Sequence, residues 1–154
     1  MNLTHTESSH DYLKRTHELL IKDKQAMQII MNEQTHSDVH LVYKIVGHIL
    51  QQSGKQIRSN IMLLLCNALG YGGKEHHELA VVIELIHNAT LLHDDVIDES
   101  QLRRGQITAN QQFGNTCSIL VGDFLFSQAF ILMAKRSNIP AMRILAQTTA
   151  AIAE

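Results

Sequence analysis

The chain has 154 residues, 45% of them apolar, and a formal net charge of −2. That is enough for one domain with a core of its own, and too neutral for a general basic field toward nucleic acid. Two cysteines, Cys66 and Cys117, fit no redox or metal-binding spacing and are expected to be buried, small apolar residues in a reducing compartment. The opening MNLTHTESSH lacks the basic and apolar segments of a signal peptide. Unbroken apolar runs such as IMLLLC fall far short of the roughly 20 residues of a membrane span, so a cytoplasmic chain with no membrane span is expected.

One proline, Pro140, and eight glycines stand among many Ala, Leu, Ile, Met, Gln, Lys and Glu, which predicts an all-α chain. Residues 1–8 are expected to be disordered. From about Ser9 to Asn32, apolar residues recur at Tyr12 and Leu13, Leu19 and Leu20, Ala26 and Met27, and Ile30 and Met31, a helical spacing. THSD interrupts it, with Ser37 or Asp38 able to N-cap the next helix. That helix carries the stripe Leu41, Val42, Ile45, Val46, Ile49 and Leu50, and is expected to end at QQSGK with Gly54 as its stop. A third helix is expected from about Ile57 to Leu69, ended by GYGG. A fourth, from about Glu75 to Ile97, is apolar on nearly every side and should be central in a bundle. The pair His76 and His77 at its start is expected on the surface, with no role. A polar loop, DESQLRRGQITANQQFGN, leads to a fifth helix from about Thr116 to Ala134, again apolar nearly all round. KRSNIP is a turn, with Pro140 in the first turn of a sixth helix that shows no stop signal before Glu154. With two all-round apolar helices among about six, residues 1–154 are expected to be a single incomplete domain, part of a larger bundle or covered by a partner.

Three constellations carry chemistry. Asp94 and Asp98, four residues apart, share a helix face, and Asp95 lies about 100° round from Asp94. Like charges at that spacing cost a few tenths of a kcal/mol unless a hard cation sits between them. Mg²⁺ takes oxygen ligands and is typically held by one or two carboxylates plus substrate phosphates, so D-D-x-x-D supplies half of such a shell. The plain alternative is a solvated acidic helix end. Arg103 and Arg104 follow in a loop, where guanidinium forks match phosphate oxygens and neighbours can splay to two anions. Their plain alternative is a solvated pair neutralising nearby acids. Lys55 and Arg58 flank a helix N-terminus, which already favours an anion, and cations there are the wrong sign for stabilising a helix. His87, two turns before Asp94, shares its face, although a lone histidine on a core helix is commonly just hydrogen-bonded.

Taken in order, G-K-x-x-R, an apolar helix with a histidine, D-D-x-x-D, R-R-G and FGNTCSILVGDFLFSQAF closely resemble the trans-type polyprenyl diphosphate synthases, and among them the long-chain bacterial members. The motifs span about Gln51 to Glu154. The resemblance implies the N-terminal half of an isoprenoid-synthase-type helical bundle. It implies that Lys55, Arg58, His87 and Arg104 hold the diphosphate of isopentenyl diphosphate. Arg103 would hold an allylic diphosphate, with farnesyl diphosphate the expected substrate. Asp94 and Asp98 would be Mg²⁺ ligands, with Asp95 in the same catalytic motif. Residues one turn before the first aspartate limit product length in this family; here they are Ala89 and Thr90, with no aromatic plug, as in medium- to long-chain enzymes. The family's G-G-K-R-x-R-P is altered at Ser53, Gln56 and Ser59, and the loss of proline at Ser59 is expected to cost little.

The family's second aspartate-rich motif has no counterpart among the 154 residues. The expectation is a substrate-holding half that is catalytically incomplete alone and that self-associates as a homodimer or larger assembly through its two apolar helices. Two alternatives remain at this point. One is a non-catalytic helical partner subunit of a complete synthase. The other is a metal phosphohydrolase of the HD type, built on His93 and Asp94.

Overall fold

A computed structural model describes residues 9–52, 54–135 and 139–153, which form seven α-helices and one small β-hairpin. The helices are α1 (Ser9–Gln34), α2 (His40–Gln52), α3 (Ile57–Ala68), α4 (Glu75–Ile97), α5 (Ala109–Phe113), α6 (Asn115–Lys135) and α7 (Ile139–Ala153). The hairpin pairs β1 (Leu102–Arg103) with β2 (Gln106–Ile107). The expectation for residues 1–8, and the altered position Ser53, lie outside the described residues.

The apolar periodicity sets the architecture. Leu20, Met27 and Met31 of α1, Ile45, Val46 and Ile49 of α2, and Leu63 of α3 are all buried, each at the spacing of one helix face. α4 is central as expected. It packs along α6 and also against α3, α1 and α5, burying Ala80, Val81, Val82, Leu85, Ala89 and Leu92. Its crossing with α6 is close at Gly122, where any Cβ would collide with the His93 ring. α3 stops where GYGG was expected to stop it. Gly70 takes φ 68°, Tyr71 N–H donates to Cys66 O at 2.9 Å, and Gly70 N–H donates to Asn67 O at 3.1 Å, the paired bonds of a Schellman ending.

α6 is long and apolar enough to cross a membrane by length and composition alone. One side of it, with Val121, Leu125, Ala129, Leu132 and Met133, is buried in the core. The other side leaves Leu120, Phe130 and Ile131 about half exposed or more, at 62%, 48% and 47%. The all-round apolar character of this helix therefore marks two faces, of which one is covered here.

Several expectations are corrected. α2 begins at His40, and Ser37 Oγ accepts from Val39 N–H at 3.2 Å, so the serine shapes the turn before the helix rather than capping it. The polar stretch after α4 is not a simple loop, because it folds into the hairpin and α5. Its polar side chains turn inward: Thr108 Oγ1 donates to Ser100 O at 2.7 Å, and Asn110 Nδ2 donates to Asp95 O at 3.1 Å. Cys66 and Cys117 are unpaired but half-buried rather than buried. His76 is buried and His77 half-buried, so the pair does not sit on the surface.

Candidate diphosphate and cation site

Lys55 and Arg58 sit at the start of α3, where the local structure departs from an ordinary cap. The N-cap residue Gln56 is left-handed, at φ 48°, and makes no side-chain capping bond. A carboxylate from the neighbouring helix takes that role. Glu84 of α4 is buried, and its Oε1 accepts from the Ser59 hydroxyl at 2.7 Å and from Ser59 N–H at 3.3 Å. The Ser59 N–H at the helix start is thereby met by a side-chain carboxyl oxygen. Ser59 does more than tolerate the loss of a proline: its N–H, which proline lacks, and its hydroxyl are what tie α3 to α4. Glu84 itself was not singled out from sequence, although a lone acid inside the apolar run AVVIELIHNAT was its signal.

This anchoring sets Arg58 beside α4. Its Nη1 lies 3.1 Å from His87 Nε2. A guanidinium only donates, so that contact requires Nε2 to accept and the imidazole to be neutral, with its proton on Nδ1. Burial pushes the His87 pKa below its ordinary 6.5, and the Arg58 charge adds to the effect. Arg103 and Arg104 depress it further, against an opposing pull from Glu84.

The arginine pair is splayed by its hairpin. Arg104 and Gly105 form the turn with φ 52° and 78°, the two positive values of a type I′ hairpin. Arg103, on β1, points back to α4, where Nε and Nη2 bind the Asp95 carboxylate at 2.8–3.1 Å. The hydrogen bond to Asp95 raises the Arg103 pKa despite partial burial. Arg104 points the other way. Its Nη1 donates to Gln52 O at 3.2 Å, and its guanidinium occupies the space that a Cβ on Gly54 would fill. Gln52 Nε2 donates to Ile107 O at 2.9 Å and fixes the hairpin to α2. Gly54 thus makes room for an arginine, a role beyond ending a helix.

The result is convergence. Lys55, Arg58, His87, Arg103 and Arg104, from three separate segments, line one cleft of about 70 Å³. Four cations and a neutral imidazole face a space whose lining includes one acid, Glu84, and that acid is committed to Ser59. A second, larger cleft of about 370 Å³ opens between α4 and α7, lined by Arg58, His87, Thr90, Asp94, Thr148 and Thr149 among others. Arg58 and His87 belong to both, so the clefts meet at that pair.

The three aspartates divide. Asp94 and Asp98 are exposed at the C-terminal end of α4. Among the described residues neither side chain is hydrogen-bonded or ion-paired. They crowd the negative end of the helix, which has no basic residue in its last turn, so both the dipole and mutual repulsion oppose them. Two free carboxylates at such a position fit a hard divalent cation. Asp95, grouped with them in the sequence reading, is turned about 100° away, is 2% exposed, and is spent on Arg103. It orients an arginine. Of the two candidate length-setting residues, Thr90 reaches the larger cleft, with its hydroxyl bonded to His87 O at 2.8 Å. Ala89 does not: it is fully buried in the core.

Known proteins resemble this chain along most of its length. A family profile described as polyprenyl synthetase matches residues 39–154. The chain is 42% identical over 142 residues to octaprenyl diphosphate synthase of Escherichia coli K12, covering 92% of this chain and 44% of that one. It is 35% identical over 136 residues to heptaprenyl diphosphate synthase component 2 of Geobacillus stearothermophilus, covering 88% and 42%. Among solved structures, a polyprenyl synthase from Caulobacter crescentus CB15, complexed with calcium and isoprenyl diphosphate, superposes with a TM-score of 0.87 at 36% identity, over 92% of this chain and 43% of that one. The chain spans less than half the length of these relatives.

Proposed function

Because the chain belongs to the polyprenyl synthetase family, we propose that it holds the two substrates of a prenyl transfer, isopentenyl diphosphate and an allylic diphosphate such as farnesyl diphosphate. The observation that carries this reading is the convergence of Lys55, Arg58, His87, Arg103 and Arg104 on one cleft, joined to the cleft bearing Asp94. In this reading Lys55, Arg58 and Arg104 hold the diphosphate that stays on isopentenyl diphosphate. Neutral His87 accepts from Arg58 and keeps that arginine aimed. Asp94 and Asp98 would hold Mg²⁺, which when bound neutralises the diphosphate that leaves the allylic substrate. Arg103, fixed by Asp95, adds positive charge beside that group. Charge neutralisation lets the allylic C–O bond ionise, and the double bond of isopentenyl diphosphate then attacks the resulting cation with loss of a proton. Thr90 lines the cleft in which the growing hydrocarbon would lie.

The reading includes catalytic incompleteness, because the sequence has one D-D-x-x-D and no second aspartate-rich motif. The test is incorporation of labelled isopentenyl diphosphate onto farnesyl diphosphate by the purified chain with Mg²⁺, alongside calorimetric binding of both diphosphates. Binding without product is expected. Robust turnover would overturn the incompleteness, and absence of diphosphate binding would overturn the assignment. A second reading, a helical partner subunit, draws support from the relative named as a component of heptaprenyl diphosphate synthase; co-purification with a complete synthase distinguishes it. The phosphohydrolase alternative needs His93 and Asp94 on one metal, whereas His93 Nε2 lies 3.2 Å from Ile119 O on α6. The exposed row Leu120, Phe130 and Ile131 supports self-association as part of the proposal. Light scattering at micromolar concentration is expected to show a dimer or larger species, and a monomer would count against it.

A further inference from the structure

At the opposite end of α4 from the aspartates, a second group of ligating side chains converges. Asp23 of α1 and the adjacent His76 and His77 bring one donor atom each within 4.8 Å of one another. His77 Nε2 lies 2.8 Å from Asp23 Oδ1 and His76 Nε2 lies 3.6 Å from the same oxygen. Neighbouring residues on a helix normally diverge by about 100°. Here the two rings instead lie together, with centroids 3.9 Å apart and planes 39° from parallel. Asn67 Nδ2 donates to the other carboxylate oxygen, Oδ2, at 2.8 Å, which orients Asp23 and leaves Oδ1 facing the histidines. The Tyr71 ring lies edge-on to His76, with centroids 5.4 Å apart, and confines it.

The His77 contact alone would make an ordinary hydrogen-bonded clamp. His76 does not fit that account. It is only 6% exposed, its Nδ1 has no hydrogen-bond partner, and its Nε2 is beyond hydrogen-bond reach of the oxygen it faces. A second imidazole brought to that oxygen, buried and gaining no hydrogen bond, is costly without a further partner. A cation between the three atoms would engage it.

We propose that Asp23, His76 and His77 form a binding site for a borderline divalent transition metal of the Zn²⁺ class, which clamps α1 to the start of α4. Two imidazoles and one carboxylate are a donor set for Zn²⁺, Co²⁺ or Ni²⁺, whereas Mg²⁺ takes oxygen alone. The oriented carboxylate is the kind of outer support that metal-ligand groups need. The site is separate from the aspartates: His77 and Asp94 are 17 positions apart on one helix, about 25 Å at 1.5 Å per residue.

The test is calorimetric titration of the chelator-treated chain with ZnCl₂ in excess Mg²⁺, which keeps the Asp94 and Asp98 end occupied. One Zn²⁺ site is expected, weakened at least tenfold in His77→Gln and in Asp23→Asn and retained in the Asp94→Asn, Asp98→Asn double variant. Equal Zn²⁺ binding by parent and His77→Gln, or none by the parent, would overturn the proposal. Should the variants fail to fold by circular dichroism, histidine ring NMR of the parent decides. Zn²⁺ must shift the His76 and His77 signals first, and shifts confined to other histidines would overturn it.

Discussion

The two ends of α4 handle charge in opposite ways. Its first turn carries Glu75 and Glu78, the sign the helix dipole favours there, and the nearby groups are paired: Tyr71 OH donates to Glu75, and Asp23 receives Asn67 and His77. Burial works to raise the Asp23 carboxyl, but those two hydrogen bonds and the charges of His77 and His76 outweigh it and hold the group below the usual range. The last turn does the reverse. Asp94 and Asp98 stand exposed at the end that repels them, with no basic residue in the turn. Helix stability explains the acids of the first turn, though not the unpartnered His76 Nδ1 beside them. The second is a standing cost, which the proposed Mg²⁺ and its diphosphate would offset.

Adjacent aspartates offer the sharpest way to break this comparison. Asp95→Asn removes the charge partner of Arg103 inside the fold and should lower unfolding free energy by about 3 kcal/mol. That is the low end for a broken buried pair, because the arginine side chain is 30% exposed. Asp94→Asn removes an unfavourable charge and should leave stability unchanged or raise it by up to about 0.5 kcal/mol. It should nevertheless weaken Mg²⁺-dependent binding of the allylic diphosphate. Urea denaturation of both variants checks the first contrast and calorimetry the second. Equal destabilisation would dissolve the division between structural and functional acids.

The middle of the helix gives the next test. Ser59→Ala takes the hydroxyl from a buried Glu84 carboxylate and should cost about 2 kcal/mol by denaturation. A loss below about 0.5 kcal/mol would mean that the serine is a passive replacement for proline.

Much of this was legible in the sequence, and for a physical reason. Long helices with a regular apolar spacing declare themselves, so α1, α3, α4, α6 and the Pro140 start of α7 fall within a few residues of expectation. The candidate site residues stood out because cations at a helix start and acids at a helix end contradict local stability. What stayed hidden depends on partners distant in the chain. The hairpin and α5 are held by Thr108 and Asn110 turning onto carbonyls near the end of α4, which no local periodicity encodes. Spacing set Asp95 about 100° round from Asp94, but not its burial against Arg103. His76 and His77 looked like surface residues because Asp23 lies more than fifty positions earlier. Resemblance supplied the proposed diphosphate roles, and the geometry supplied the separation of buried Asp95 from exposed Asp94 and Asp98.

The smallest expected effect is on a proton. The His87 pKa lies below its ordinary 6.5, through burial first and then the charge of Arg58. In the unfolded chain this histidine titrates near 6.5, so just below that pH the unfolded state binds the extra proton and the folded state does not. Its contribution to stability is therefore full above about pH 6.5 and is lost as pH falls from there through the folded pKa. A diphosphate in the cleft offsets the arginine charges that depress His87 and must raise its pKa. Binding should then draw a fraction of a proton from solution near pH 6, measured as a heat that changes with the ionisation enthalpy of the buffer. His87→Gln should change that buffer dependence, leaving only the part owed to the diphosphate's own ionisation near pH 6. If the His87 ring signal in NMR does not move when pyrophosphate and Mg²⁺ are added, the anion is not bound beside Arg58, and the comparison between the two ends of α4 loses its functional half.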